Sequence, residues 1–158
     1  EAEGIRFTCV LELANGFGEV TLASSDPNDQ PNLSYHYLED SFDLQRLREA
    51  VRLCSRFQDH EDYKKIVKRR ITPTDEDLAT DETLNAWLKL NVSTSQHLAG
   101  TCKMGPSTDL MAVVDQYCRV HGLQGLRVVD TSVMPNVVRA NTNATAIMIA
   151  ERVADWMK

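Results

Sequence analysis

The sequence predicts an α+β fold, in which an antiparallel sheet with helices packed against it is followed by a strand–strand–helix segment that belongs to a second domain. Strand-like residues open the chain, and amphipathic helical spacing fills its middle. Strand-like runs return after residue 100, ahead of a last apolar helix. We therefore expect two domain portions, residues 1–100 and residues 101–158.

Two strands are predicted near the start of the chain. Residues 5–13 are rich in β-branched and aromatic residues, which favour strands. Residues 18–22 form a second strand-like run, and Asn15 and Gly16 between the two runs are a common hairpin dipeptide. Dense turn-forming residues at 24–31 then end this part of the sheet.

Helices are predicted for the middle of the chain. Ser41 is a candidate N-cap, and apolar residues follow it at spacings of three and four, which predicts a helix to residue 57. A second helical stretch covers residues 63–67, and the proline within residues 72–74 ends it. Asp81 is the candidate cap of a third helix, which is expected to bury Leu84, Trp87 and Leu88.

The last third of the chain has a different pattern. Residues 112–114 and 126–130 are predicted strands, with turn-forming glycines between them. A final helix is expected to begin at Asn141 or Thr142. Because its apolar residues lie on more than one side, we expect this helix to be buried on more than one face.

Charge and hydropathy exclude several classes of partner. The chain has 158 residues and a formal net charge of −6, which gives no reason to expect nucleic acid or an anionic membrane as a partner. No apolar run approaches the roughly 20 residues that a membrane span needs. The first four residues lack a basic start and an apolar core, so they do not predict a signal peptide. The sequence also lacks an initiator Met, and we expect it to begin inside a longer polypeptide.

The cysteines indicate neither a disulfide framework nor a metal site. Cys9, Cys54, Cys102 and Cys118 form no C-x-x-C pair, and no His lies at zinc spacing beside them. Reduced thiols are therefore predicted, together with no metal site and a cytoplasmic location.

Three segments carry a resemblance to a known family. Residues 96–105 read Q-H-L-A-G-T-C-K-M-G and resemble an H-x-x-G-T-x-x-M-G signature. Residues 125–135 read G-L-R-V-V-D-T-S-V-M-P, and residues 141–151 read N-T-N-A-T-A-I-M-I-A-E. All three resemble segments of the glucose–methanol–choline (GMC) oxidoreductases, in the order and at the spacing of that family.

The resemblance implies an FAD-dependent oxidoreductase that acts on CH–OH groups, transferring a hydride from an alcohol to the flavin as choline dehydrogenases do. Members of the family bind FAD through an N-terminal G-x-G-x-x-G turn, and this sequence contains no such motif. The chain therefore resembles the C-terminal portion of a member, with residues 1–100 on the substrate side and residues 101–158 returning to the FAD-binding domain.

The same resemblance implies the partners. With an incomplete FAD site, the isolated chain is expected to be inactive. Its expected partners are a small-molecule alcohol and the missing N-terminal FAD-binding half. A segment without its usual packing partner exposes apolar surface, which favours association, so a homodimer of the isolated chain is also expected.

The resemblance further implies two catalytic residues. His97 takes the acid–base role, because an imidazole with an unperturbed pKa of about 6.5 accepts a proton near neutral pH. Asn141 takes an orienting role, because an amide donates a hydrogen bond to an oxygen that gains negative charge. Outside this context, His97 is more simply a loop histidine, and Asn141 or Thr142 is simply an N-cap.

Four further residues are implied as contacts of the flavin. Val129 and Asp130 resemble a strand end whose backbone touches the cofactor, although an Asp at such a junction is also a common turn former. Asn143 and Ala144 resemble a helix start whose backbone N–H groups face the pyrimidine side of the flavin.

Two alternatives remain open on the sequence alone. Some proteins that resemble this family are hydroxynitrile lyases, which use the same scaffold without net redox chemistry. The chain is also consistent with a non-catalytic binding or assembly module that docks onto a separate cofactor-binding partner. Bleaching of a bound flavin by a primary alcohol distinguishes the redox enzyme from the lyase. A partner with a G-x-G-x-x-G turn encoded upstream, or an intact longer chain, discriminates the assembly module.

Overall fold

The computed structural model describes residues 4–158 and divides them into two compact units. Unit 1 is Ser34–Ser93 together with the described residues before Glu19, and unit 2 is Glu19–Leu33 with Thr94–Lys158. A two-stranded antiparallel sheet and five α-helices lie in the described range, which confirms the α+β class. The strands are β1 (Glu19–Thr21) and β2 (Asn32–Ser34), and the helices are α1 (Ser41–Arg56), α2 (Glu61–Lys64), α3 (Asp75–Leu78), α4 (Asp81–Asn91) and α5 (Asn143–Trp156).

Helix α1 supplies half of the core of unit 1. Its N-cap is Asp40, whose carboxylate accepts the backbone N–H groups of Phe42 and Asp43, so the expectation that Ser41 is the cap was wrong. Leu47 and Val51 lie one turn apart on the buried face of the helix. The apolar spacing in the sequence therefore located this helix and its inner face, and the cap lies one residue earlier.

Helix α4 supplies the other half of this core. Leu84 and Leu88 are buried against α1, while Trp87 is only partly buried beside them. Thr80, rather than the expected Asp81, caps the helix, because its hydroxyl accepts the backbone N–H of Thr83 and the Thr83 hydroxyl accepts the N–H of Thr80. The result is a four-residue apolar core between two capped helices.

The predicted strand at residues 5–13 is absent. Side chains of this segment pack on the helices instead, with Cys9 and Leu11 against the core of unit 1. The backbone carbonyls of Glu12 and Leu13 accept hydrogen bonds from the guanidinium of Arg46, at 2.8 and 3.0 Å. A side chain of α1 thus satisfies two backbone carbonyls at the end of the segment, and apolar side chains of the segment pack on the core between α1 and α4.

The expected hairpin at Asn15 and Gly16 is also replaced. Their N–H groups donate to the buried carboxylate of Asp43, at 3.1 and 2.7 Å. Strand β1, shorter than the predicted 18–22, pairs with β2 across the turn region instead. The turn dipeptide is therefore an anchor onto α1 and not the link between two strands.

The second helical prediction is shifted, and one helix was not expected. Helix α2 covers Glu61–Lys64 rather than residues 63–67, because His60 caps it through the N–H of Asp62. Helix α3 follows residues 72–74 directly, where a capping box between Thr74 and Asp77 begins a short turn of helix.

Unit 2 contains almost no regular strand. Where the sequence predicted strands at 112–114 and 126–130, the structure has isolated bridges, among them Met104 with Val114 and Arg119 with Arg127. Turns follow these bridges, so each backbone pairing is a single bridge and does not extend into a strand. The core of this unit consists of four buried residues, Val114, Cys118, Val133 and Val153.

Helix α5 begins at Asn143 with Thr142 in the N-cap position, close to the predicted start. Val153 is buried and Ile149 packs beside it, whereas Ile147 and Met148 are 55% and 57% exposed. The expectation of burial on more than one face was therefore wrong for the chain as described. No described element of unit 2 packs on the second apolar side. Among residues 4–158, no helix combines the length and the apolar character that a membrane span requires.

The first prediction concerns the core of unit 1. Leu84 is fully buried, so Leu84→Ala should lower the free energy of unfolding by about 3 kcal/mol through lost burial and a residual cavity. Urea denaturation of the 158-residue chain measures this change. Leu90→Ala is the matched control on the same helix, because Leu90 is 86% exposed and its loss should change stability by less than about 0.5 kcal/mol. Equal effects of the two substitutions would contradict the described core.

The second prediction concerns alkaline pH. The Cys9 Sγ lies 3.3 Å from the Cys54 Sγ, and burial together with this contact raises the pKa of Cys9 from 9.0 to about 11. The folded pKa exceeds the unfolded one, so the contribution of the neutral thiol to stability is complete below about pH 9 and is lost as the pH rises through about 11.

Comparison of the wild type with Cys9→Ala isolates the effect of this thiol, because the other groups that titrate at high pH are present in both proteins. The difference in urea midpoint between wild type and Cys9→Ala should therefore fall between about pH 8 and about pH 10.5. A difference that stays constant over this range would contradict a raised pKa at Cys9.

Candidate active site

The motif that begins at His97 leads into the central backbone segment of unit 2. On one side of this segment, Cys102 N–H donates to the carbonyl of Ser132 at 3.0 Å, and Met104 N–H donates to that of Val133 at 2.9 Å. On the other side, Gly105 N–H donates to the carbonyl of Val114 at 3.0 Å. The first and second motif segments, far apart in sequence, are therefore hydrogen-bonded neighbours in the structure.

The loop at His97 has a specified conformation. Gln96 and Gly100 both adopt positive φ, at 64° and 84°, and these two residues bracket the turn that carries the histidine. The Thr131 hydroxyl donates to the carbonyl of Leu98 at 2.9 Å, which fixes the loop to the second motif segment. The imidazole thus lies on a loop that a hydrogen bond anchors to the second motif segment.

Asp130 acts locally as a turn former. Its carboxylate accepts the backbone N–H of Ser132 at 2.8 Å and caps the 3-10 helix Thr131–Val133. Val129 is half-buried and packs against the apolar core of unit 2. The structure thus gives both side chains a structural task. The contact of their backbone groups with a cofactor stays a prediction.

The third motif segment meets the first at the histidine ring. The Nδ1 atom of His97 lies 3.1 Å from the Oγ1 atom of Thr142, a residue that is 6% exposed. Asn141 directly precedes this threonine and is exposed. The imidazole and the start of α5, 45 residues apart in sequence, are therefore in direct contact within unit 2.

The start of α5 presents open hydrogen-bond donors. Asn143 and Ala144 are exposed, and the first N–H groups of any helix lack intrahelical partners. Thr142 occupies the cap position, yet its side chain makes no capping hydrogen bond. These N–H groups and the helix dipole, equivalent to roughly half a positive charge, therefore favour a negatively charged or electron-rich group at this end.

Two polar pairs fix the backbone around the site. The Nε2 atom of His121 lies 3.0 Å from the carbonyl oxygen of Gly105, which ties this histidine to the backbone of the first motif segment. Lys103 Nζ lies 2.8 Å from the carboxylate of Asp109. This contact, followed by the backbone N–H of Met111, holds the pKa of Asp109 below its usual value. The lysine is thus engaged by a neighbouring carboxylate.

Sequence reasoning missed two of the polar contacts that build the site. Thr142 was interpreted as a possible helix cap, and Thr131 was only part of a motif, whereas their hydroxyls bond to the histidine ring and to the histidine loop. The signal available in the sequence was a hydroxyl residue directly beside each proposed site residue. No group of three or more His, Cys, Asp or Glu side chains with metal-binding geometry occurs among the residues that the structure describes.

Comparison with known proteins places this geometry in a family. The family model described as GMC oxidoreductase matches residues 14–150. The chain is 43% identical over 138 residues to an oxygen-dependent choline dehydrogenase of Cronobacter sakazakii, covering 87% of this chain and 24% of that protein. It is 41% identical over 141 residues to an oxygen-dependent choline dehydrogenase of Escherichia coli, covering 89% of this chain and 25% of that protein.

Solved structures give the same family. The chain resembles a fungal aryl-alcohol oxidase with a TM-score of 0.75 and 32% identity, covering 89% of this chain and 24% of that one. It resembles pyridoxine 4-oxidase from Mesorbium loti with a TM-score of 0.80 and 28% identity, covering 88% and 26%. The chain spans about a quarter of the length of the curated relatives that it matches. Because the family match includes His97, the segment after it and the start of α5, this chain belongs to the GMC oxidoreductase family.

Proposed function

We propose that this chain provides the proton-handling side of the active site of an FAD-dependent oxidoreductase that acts on CH–OH groups. The observation that carries the proposal is the 3.1 Å contact between His97 Nδ1 and Thr142 Oγ1. It brings the candidate base, His97, to the start of α5. The candidate amide donor, Asn141, directly precedes the contacted threonine in sequence, and the first N–H groups of the helix follow it. These are the groups that removal of a proton from an alcohol requires.

His97 and Asn141 have different tasks in this proposal. His97 takes the hydroxyl proton of the alcohol, because a neutral imidazole has a free ring nitrogen near neutral pH. Asn141 donates an amide hydrogen bond to the same oxygen as negative charge develops there. Bound FAD supplies the acceptor for the hydride that leaves the carbon.

The residues at the start of α5 fit one edge of a flavin. Asn143 and Ala144 are exposed residues of the first turn, where N–H groups lack intrahelical partners, and the Thr142 side chain makes no capping hydrogen bond. These N–H groups would stabilise negative charge on the pyrimidine side of the ring. The backbone at Val129 and Asp130 would contact the linkage that follows the ring.

The remainder of the cofactor site belongs, in this proposal, to another part of the polypeptide or to a partner chain. The relatives are about four times as long as the matched segment, and this sequence has no G-x-G-x-x-G turn. Residues 1–100 then lie on the substrate side, and residues 101–158 complete the FAD-binding domain. Because its cofactor site is incomplete, the isolated chain is proposed to be inactive. Its proposed location is the cytoplasm, as expected from its reduced cysteines.

The exposed apolar residues of α5 support association of the isolated chain. Ile147 and Met148 are more than half exposed on one side of the helix, and such surface is normally covered in a complete domain. We propose that the isolated chain dimerises through this side. The lyase and assembly alternatives are not favoured, because the relatives named above are a dehydrogenase and oxidases.

The third prediction tests the cofactor. The 158-residue chain and the longest polypeptide encoded with it are titrated with FAD, and flavin fluorescence is followed. We expect the isolated chain not to bind, and we expect the longer polypeptide to bind and to lose its flavin absorbance when primary alcohols are added without oxygen. Failure of both forms to bind FAD would overturn the proposed function. Binding without bleaching by any alcohol would favour a lyase or an assembly role.

The fourth prediction tests the base. In the flavin-loaded protein, His97→Ala should lower the rate of flavin reduction by alcohol about 10²- to 10⁴-fold, because the hydroxyl proton loses its acceptor. Stopped-flow absorbance under anaerobic conditions measures this rate. His60→Asn is the control, because His60 is an exposed helix cap of unit 1 and Asn retains the capping function. An unchanged rate in His97→Ala would remove His97 from the mechanism.

A further inference from the structure

Thr142 directly precedes helix α5, and its backbone is already helical, with φ of −76° and ψ of −11°. A threonine at the N-cap normally accepts an N–H of the first turn of its helix. In α5 this bond is missing, and the Thr142 hydroxyl lies 3.1 Å from the Nδ1 atom of His97 instead. At 6% exposure the threonine is also among the few buried polar residues of the chain. With this helical backbone the threonine is not set to cap the helix, and its buried hydroxyl contacts the ring of a histidine 45 residues away.

The contact restricts which ring nitrogen of His97 carries the proton. A neutral imidazole is protonated at either Nδ1 or Nε2, and the hydrogen bond at one nitrogen determines the state of the other. If the Thr142 oxygen accepts from Nδ1–H, Nε2 keeps its lone pair. In the part of the chain that the structure describes, Nδ1 is the ring nitrogen with a hydrogen-bond partner, and Nε2 has none.

Proton uptake favours the arrangement in which Thr142 accepts. When His97 takes a proton it becomes an imidazolium, and both ring nitrogens are then donors. A threonine that already accepts from Nδ1–H keeps this bond through the step, without moving. A threonine that donates to Nδ1 would have to rotate its buried hydroxyl before the ring could charge. Catalytic groups work best when their partners need no such reorganisation.

We propose that Thr142 is a positioning residue that holds His97 as the Nδ1–H tautomer and so leaves Nε2 as the proton acceptor. The effect of this tautomer on catalysis rests on the proposed function. The tautomer itself can be measured in this chain without a cofactor. The threonine touches neither substrate nor flavin in this proposal, and it acts only through the imidazole.

The test is ¹⁵N nuclear magnetic resonance of the ring nitrogens in the uniformly labelled 158-residue chain at neutral pH. The signals of His97 are assigned by their loss in His97→Gln. In the wild type, we expect the protonated nitrogen to be Nδ1. Thr142→Val, which has nearly the same shape without the hydroxyl, should raise the population protonated at Nε2. Thr142→Ser should restore the wild-type pattern, and Thr108→Val, at an exposed threonine of the same unit, should leave it unchanged.

Three results overturn the inference: a wild-type ring protonated at Nε2, an unchanged tautomer in Thr142→Val, or a serine variant that behaves like the valine variant. The wild-type measurement needs no variant, so a misfolded Thr142→Val does not block the test. In the flavin-loaded protein, Thr142→Val should lower kcat about 10- to 100-fold with little change in KM, and serine should recover most of it. A protein that lacks flavin reactivity but shows the expected tautomer would refute the proposed function alone.

Discussion

The backbone segment between Cys102 and Gly105 carries hydrogen bonds on both of its sides, and unit 2 is organised around it. One side bonds to Ser132 and Val133, and the other bonds to Val114. These bonds replace the sheet that the sequence led us to expect, and they satisfy backbone groups that would otherwise be buried without partners. The apolar core of unit 2 takes Val114 and Val133 from the same two neighbouring segments. One short segment therefore determines both the packing of the unit and the position of the His97 loop.

Helix α5 begins without a side-chain capping hydrogen bond. A side-chain cap at the start of α5 would stabilise the helix by about 1 kcal/mol. The structure leaves that bond unmade, directs the Thr142 hydroxyl to His97 and keeps the first N–H groups open. Helix α4, which has no proposed role in the site, carries a complete capping box. The two helices differ in the backbone of the residue that precedes them: Thr80 is extended and forms a capping box, whereas Thr142 is helical and its hydroxyl contacts the histidine ring.

The sequence correctly predicted helices that are defined by local apolar periodicity. It did not predict backbone pairing, which depends on partners far away in the chain. The spacing of Leu47 and Val51 located α1, because both face one core. Residues 5–13 have strand composition, yet no strand pairs with them, and Arg46 of α1 takes their carbonyls instead. The motifs predicted that His97 and Asn141 share a site, and the structure shows His97 in contact with Thr142, the residue after Asn141. The partner atom, the Thr142 hydroxyl, was not predictable, because capping and ring binding use the same side chain.

The glycine at position 100 of the histidine motif is required for its backbone conformation rather than for its small size. Its φ of 84° lies in the left-handed region, whereas an added Cβ would meet the Met134 carbonyl oxygen at an ordinary 3.5 Å. There is space for a Cβ, so for that atom the constraint is the backbone dihedral rather than a clash. Asparagine enters this region more readily than other residues with a Cβ. A variant of this loop is therefore better tolerated with the larger asparagine at position 100 than with the smaller alanine, and substitution tolerance here follows conformation rather than volume.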